Sequence, residues 1–200
     1  MRHILVLALV ALMGVAPNAL AEEASDSDFA NYSMSVGFSP FGGSVNFSVN
    51  PSRKTSYFTA LGGLPAGELE MEIDGTDYTV TSASSWMGFF VQHRPFESAE
   101  WFRLVVGLGI GSIENDLEDK DGNKFVADYN ENPVGYVGVG FGARNLKGFQ
   151  AGFDIGWLQT AGPDIAQVEG DSPEAVESIS EHVLFGNALP NFQLTLGWGF

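Results

Sequence analysis

The sequence predicts an all-β protein: an eight-stranded antiparallel up-and-down β-barrel that crosses a membrane, with a short helix in its last extracellular loop. Three observations predict it. Segment after segment alternates apolar with small or polar residues at a period of two, the side-chain period of a strand whose two faces meet different media. Short turns (50–54, 94–99, 144–148) alternate with long connections (64–77, 114–132, 161–189). Beyond residue 21 no stretch reaches the roughly 18 consecutive apolar residues of a membrane-spanning helix. Lipid satisfies no exposed backbone group, so a spanning sheet must close on itself.

The chain opens like an export signal. Arg2 and His3 precede an apolar run from Ile4 to Val15, and Ala19-Leu20-Ala21 is a small-x-small site, so cleavage is expected after Ala21. Residues 22–30 (EEASDSDFA) are acidic and unpatterned and read as a flexible periplasmic start; 31–200 is the barrel.

The first strand, about 31–38, sets Tyr32, Met34, Val36 and Phe38 against Asn31, Ser33, Ser35 and Gly37. The second, 44–50, sets Val45, Phe47 and Val49 against Ser44, Asn46 and Ser48. Asn50 to Lys54 is a polar turn. The third, 55–63, is less regular because Tyr57 and Phe58 are adjacent, and Glu68 to Val80 reads as a hairpin extension around Asp74-Gly75. The fourth ends near His93, with Met87, Phe89 and Val91 outward and Gly88, Phe90 and Gln92 inward; its first half, Thr79 to Ser85, stands above the membrane. The fifth sets Phe102, Leu104, Val106, Leu108 and Ile110 against Arg103, Val105, Gly107, Gly109 and Gly111. Glu114 to Asn132 reads as an acidic loop with Asp121-Gly122 at its tip.

The sixth strand, 134–143, alternates Val137, Val139 and Phe141 with Gly138, Gly140 and Gly142, and the seventh, 149–159, sets Phe149, Ala151, Phe153, Ile155 and Trp157 against Gln150, Gly152, Asp154 and Gly156. In the connection 160–189, Ser172-Pro173-Glu174 gives helix-start chemistry, and Val176, Ile179 and Val183 recur at helical spacing. The last strand places Phe200, Trp198, Leu196, Leu194 and Phe192 on one face and Gly199, Gly197, Thr195, Gln193 and Asn191 on the other. With its aromatic carboxyl terminus it resembles the closing strand of Gram-negative outer-membrane barrels. That likeness implies an assembly signal in Phe200, Trp198 and Leu196, read by the barrel-assembly machinery, and a place in the outer membrane among lipid and lipopolysaccharide.

Charge excludes one class of partner and suggests another. Nine basic against 25 acidic residues give a net charge of −16, which repels nucleic acid. Arg53, Lys54, Arg94, Arg144 and Lys147 fall in short turns, whereas the long connections hold five, seven and six carboxylates. The expectation is an acidic extracellular mouth (Glu68, Glu70, Glu72, Asp116, Glu118, Asp119, Asp121), serving either as a solvated surface or as a vestibule that concentrates cations. Arg103 and Asp154 are the charges on inward faces, with Gln92, Gln150 and Gln193. A lone charge in a narrow lumen is costly, so the two are expected to pair and plug it. Glycines on the inner faces either leave a water path or make room for Phe90 and Tyr136.

Enzymatic and metal chemistry find little support. His93 and His182 belong to opposite ends of the barrel, so no catalytic constellation is expected. Asn115 to Gly122 looks like a calcium loop, but ligand position 1 would be Leu117, so the motif fails. There is no cysteine, hence no thiolate metal site, and no cofactor is expected.

Several segments together resemble a family. They are Ile73-Asp74-Gly75-Thr76-Asp77-Tyr78, His93-Arg94-Pro95-Phe96 closing a strand, Gly148 to Trp157 followed by Thr160-Ala161-Gly162-Pro163, and an acidic helix ahead of Leu189-Pro190. They are similar to the CarO-type (carbapenem-associated) outer-membrane proteins. This resemblance implies an eight-stranded barrel tied to uptake of ornithine or other basic amino acids and to carbapenem entry. The chain departs from the family in shorter first loops and in ending on Phe200, where members end in Trp. The OmpW and OmpX types share its general features. Two functions stay open: passage of small cationic or zwitterionic solutes such as basic amino acids, or a closed structural barrel that contacts lipopolysaccharide, cations or a partner through its loops.

Overall fold

The computed structural model describes residues 28–130, 133–142 and 144–200; the expected export signal and most of the acidic start lie outside these. Ten antiparallel strands form one sheet: β1 (Tyr32–Ser39), β2 (Gly42–Val49), β3 (Thr55–Ile73), β4 (Thr76–His93), β5 (Phe102–Asp119), β6 (Lys124–Tyr129), β7 (Val134–Gly142), β8 (Gly148–Gln159), β9 (Asp164–Glu169) and β10 (Ala188–Gly199). Eight of them close a ring in the order β1-β2-β3-β4-β5-β7-β8-β10, sealed where Met34 pairs Trp198 and Val36 pairs Leu196. The backbone of Phe200 bonds both ways with that of Tyr32, so the aromatic terminus fixes the seam.

The two remaining strands correct the sequence reading. Residues 114–132 are not one loop: β5 runs on to Asp119, turns at Asp121-Gly122 and returns as β6. Both β6 and β7 pair with β5 on the same side, so together they make one interrupted strand; β8 and β9 do the same across Thr160 to Pro163. Strands β3 and β4 also exceed their expected lengths and meet at Asp74-Gly75, both at positive φ as a tight primed hairpin requires. Pro65 cannot donate to the ladder, and the register shifts there between Leu64 and Gly67.

The alternation along β5 changes character part-way up the strand. On its outer face Leu104, Val106, Leu108 and Ile110 are followed by Ser112, Glu114, Asp116 and Glu118. On its inner face Arg103, Val105 and three glycines are followed by Ile113, Asn115 and Leu117. Both faces change character between Ile110 and Ser112: an apolar row gives way to a polar one outside, and the polar lumen gives way to an apolar core inside.

That upper core is roofed by helix α1 (Pro173–Glu181), which lies in the concavity of the extended sheet. Ile179 is fully buried there with Ile73, Tyr78, Val80, Leu117, Phe125, Ala127 and Phe185, and Ala175 and Val176 pack at its edge. The helix departs from the sequence reading at both ends. Its Ser172 side chain makes no cap bond; the Ser172 carbonyl accepts from the Ala175 amide, and its own amide is held by Gln167. Val183 is exposed, because the backbone leaves the helix at His182, and Phe185 fills the place expected for it.

Candidate functional site

The lumen has two unlike walls. Ser33 and Ser35 of β1 and Ser44, Asn46 and Ser48 of β2 make one side a surface of hydroxyls and amides. The other is aromatic: Phe58 stacks on Phe90 at 4.7 Å, and Phe90 meets Tyr136 edge-on at 5.8 Å. Above them Trp86 donates its indole N–H to the Phe41 carbonyl at 3.0 Å, and Ser84 donates to the same oxygen at 2.8 Å. Those bonds draw the short β1–β2 turn across the barrel toward β4.

The inner glycines exist to seat these side chains. A Cβ at Gly107 or Gly88 would strike the Phe90 ring, one at Gly62 or Gly111 would strike Trp86, and one at Gly138 or Gly156 would strike the Tyr136 hydroxyl. The space that remains is a cavity of about 140 Å³. Along it the Asn46 and Asn50 side-chain carbonyls are buried and make no bond to other described residues, and the Asn191 side chain stands beside the Tyr136 hydroxyl.

Arg103 and Asp154 form a bidentate pair, Nε to Oδ1 at 3.1 Å and Nη2 to Oδ2 at 2.7 Å. Arg103 also donates through Nη1 to the Gly142 carbonyl at 2.8 Å, so the guanidinium is well satisfied. The pair does not cross the lumen. Arg103, Gly140 and Asp154 are register partners on the consecutive strands β5, β7 and β8, and a Cβ at Gly140 would collide with both ions, so the pair lies flat against one wall. Gln92 lines the chamber above it, Gln193 donates to Ser44 at 3.4 Å, and Gln150 donates to the Leu146 carbonyl at 2.7 Å.

What closes the base is a residue the sequence reading passed over as part of a turn. Asn145, between β7 and β8, is 6% exposed. Its Nδ2 donates to the Ser52 carbonyl at 3.0 Å, and its Oδ1 accepts from Ser56 Oγ at 3.1 Å. The β2–β3 turn stands half-way round the ring of eight from the β7–β8 turn, so Asn145 bridges the base from side to side. The chain start completes this floor. The Ala30 amide donates to the Asn145 carbonyl, the Lys147 amide to the Asp28 carbonyl, and Asn50 Nδ2 to the Ala30 carbonyl at 2.9 Å. Arg94, fully buried, donates to the Glu100 carbonyl at the same end. At roughly 1 kcal/mol net each, these bonds favour the closed base by a few kcal/mol together.

The acidic residues do not ring an opening. Glu68, Glu70 and Glu72 on β3 and Asp116 and Glu118 on β5 are exposed on the outer face of the extended sheet. None of them lines the cavity. The reason is the period of two: the positions opposite them, Met71, Ile73 and Leu117, face the roof helix. Asp119 is tied into its own turn by the Asp121 and Asn123 amides, each 2.9 Å from Oδ1, and by Asn123 Nδ2 at 2.7 Å from Oδ2. Burial pushes its carboxyl up, but those bonds outweigh burial and hold it below the ordinary range. Asp121 is exposed at the turn's tip, and Lys120 pairs with Asp77.

Across β5, β6 and β9, Glu114, Asp128 and Asp164 stand directly opposite one another. Burial, then the charge of Asp116, raise the Asp128 carboxyl above its ordinary value, with Asp164 adding to the rise. A folded-state value above the unfolded one means that folding disfavours the charged form. The penalty is full at neutral pH and disappears as pH falls through the folded value to about 3.9. Asp128→Asn should therefore raise the thermal midpoint at pH 7 and leave it unchanged at about pH 3.5, which calorimetry on refolded protein would check.

His93 sits by Thr55 at the end of the barrel that carries the short turns and His182 follows α1 at the opposite end, so among the described residues the structure brings no histidine pair together. Trp198 faces outward on β10, with Leu196 half-exposed on the same face, and Phe200, one residue past the strand, is exposed.

No protein-family model matches the chain, and no curated protein matches it. Solved structures do. The Acinetobacter baumannii CarO structure superposes with a TM-score of 0.66 at 14% identity, covering 86% of this chain and 98% of that one. That of Acinetobacter baumannii CarO2 gives 0.65 at 12%, covering 86% and 99%. Likeness at such identities speaks for architecture alone, and it agrees with the ring of eight traced above: this chain has the CarO-type barrel fold.

Proposed function

We propose that the chain is an outer-membrane barrel, closed to solutes at rest, that works at the cell surface by holding lipopolysaccharide through divalent cations on its outward acidic sheet. The reading assigns it no catalysis and no cofactor, and its C-terminal strand, with Leu196, Trp198 and Phe200, is the element offered to the barrel-assembly machinery. The observation that carries the proposal is where the carboxylates point. Passage of basic amino acids would call for them around the lumen entrance. They instead continue the outer apolar row of β5 upward, directly above Ile110. Anionic headgroups and carboxylates repel unless a divalent ion bridges them, and hard oxygen ligands suit calcium or magnesium.

Calcium should raise the thermal midpoint of the protein in lipopolysaccharide vesicles by several degrees, and Glu114→Gln/Asp116→Asn/Glu118→Gln should abolish that rise. The native protein in a planar bilayer should give no conductance steps. Cation-selective steps blocked by lysine or ornithine would overturn the proposal in favour of uptake.

A further inference from the structure

Building on the surface role proposed above, we infer that a groove on the outer wall of the barrel, floored by Gly135, seats one acyl chain of the lipopolysaccharide whose phosphates the carboxylates hold. The register of four strands defines this groove. Phe89, Leu108, Gly135 and Gln159 stand level on β4, β5, β7 and β8. They belong to outward rows, in which Phe89 and Leu108 are 52% and 60% exposed. Between Leu108 and Gln159 the row carries no side chain. Neighbouring strands lie about 4.8 Å apart, so the gap between the flanking strands is about 10 Å, the width that a single extended hydrocarbon chain fills between two side chains. One level down stand Val91, Val106 and Val137, whose short branched side chains keep the floor low and apolar. These residues line one continuous depression.

The barrel itself does not call for glycine at 135. Its backbone is outside the left-handed region that favours glycine. A Cβ there would meet its nearest neighbour, the Gln159 Cβ, at an ordinary 3.7 Å. The inward glycines differ: Gly107 is kept bare by the Phe90 ring, and Gly138 and Gly156 by the Tyr136 hydroxyl. Glycine inside a strand weakens it, and one that neither turn nor packing requires marks a close approach from outside. A side chain at 135 fits the barrel as well as glycine does; what it removes is the groove.

What lies above the groove points to its occupant. Because β6 and β7 form one interrupted strand and β8 and β9 another, the line of Gly135 continues upward to Asp128 and that of Gln159 to Asp164. Strand β5 runs unbroken from Leu108 through Ile110 and Ser112 to Glu114. The level row of Glu114, Asp128 and Asp164 therefore stands over the same three strand lines as the groove. Leu108 and Glu114 are six residues apart. That is about 20 Å along the strand, and less along the barrel axis because such strands tilt. A molecule that meets both levels has an apolar chain of that reach below and an anionic head above, joined to the carboxylates by a divalent cation. Lipopolysaccharide carries phosphates and acyl chains on one sugar core. It is also the lipid of the outer leaflet, the side to which the surface role assigns the acidic sheet.

The test is native mass spectrometry of the refolded full-length barrel, given deep-rough lipopolysaccharide and phosphatidylethanolamine in equal amounts, once with calcium and once with EDTA. Native protein should retain one lipopolysaccharide at a collision energy that strips the phospholipid. Gly135→Leu should cut the retained fraction roughly tenfold, the loss that goes with about two methylenes no longer buried. Val137→Phe fills the groove without touching a glycine and should do the same if Gly135→Leu fails to fold, which the heat-modifiable gel shift reads. Val45→Phe, on β2 across the ring, makes the same change outside the groove and should leave retention as in native protein. The groove variants should lose retention in calcium and in EDTA alike, whereas Glu114→Gln/Asp116→Asn/Glu118→Gln should lose it in calcium alone. The two readings therefore fail separately: native retention that ignores EDTA counts against the cation bridge and leaves the groove standing. Folded groove variants that retain lipopolysaccharide as native protein does would overturn the inference. So would an equal loss in Val45→Phe, or phosphatidylethanolamine held as firmly as lipopolysaccharide.

Discussion

Asp154→Ala should lower the unfolding free energy of the barrel by about 3–5 kcal/mol, the usual loss when one partner of a buried ion pair is removed. The Arg103 guanidinium is 3% exposed and would keep its bonds to the Phe141 and Gly142 carbonyls but lose both carboxylate oxygens. A positive charge without a counter-charge would then sit at the membrane level of the barrel, where neither side chain nor lipid replaces the carboxylate. Arg103→Met/Asp154→Leu should recover most of the stability, because a pair replaced by apolar groups leaves no orphan. Urea titration of refolded protein, followed by tryptophan fluorescence and by the heat-modifiable gel shift, reads both variants. A single variant within about 1 kcal/mol of native protein would mean that the pair is ornamental, and that Gly140 is not reserved for it.

How far the sequence discloses such features depends on which solvent each face meets. Where lipid lies outside and the lumen inside, residues of opposite character alternate, and all eight ring strands are legible. Above Ile110 the outer face of β5 meets water. Glu114, Asp116 and Glu118 are poor strand formers, so the stretch reads as a loop although its period of two never breaks. The clue was the other face: Ile113, Asn115 and Leu117 keep the inward row. Similar reasoning accounts for β9, whose six residues carry too little apolar contrast to stand out. Arg103 and Asp154 are legible because charges on a lumen face are rare. Asn145 is not. Asparagine in a turn satisfies local turn chemistry, and no pattern along the chain tells that its side chain reaches the turn half-way round the ring. The direction of the acidic residues was open for the same reason, since composition counts charges without assigning them a face.

Phe125→Ala should cost the upper half of the molecule about 3–5 kcal/mol while leaving the membrane-spanning ring intact. Phe125 is 1% exposed, meets Tyr78 edge-on at 6.1 Å, and sits in the cluster that holds α1 over the sheet. A nine-residue helix is too short to persist alone in water, so its stability comes from Ile179 and its neighbours packing on that cluster. The Ser172 cap adds no side-chain bond, and the tie of Ser178 to Asp74 at the hairpin tip is exposed and weak. A cavity at Phe125 therefore removes the support that the roof depends on. The ring below is held by its closed ladder, and among the described residues no side chain below Ile110 of β5 belongs to the cluster under the roof. Two transitions should replace one. Hydrogen exchange of residues 173–185 and of β6 should accelerate by two to three orders of magnitude, the factor that corresponds to about 3–4 kcal/mol, and proteolysis should cut within the same stretch. The gel shift of the barrel and the exchange of β1, β2 and β10 should not change. Loss of the gel shift along with the roof would show that the extended sheet and the ring fold as one unit, and that the boundary at Ile110 and Ser112 marks a change of solvent without a change of cooperative unit.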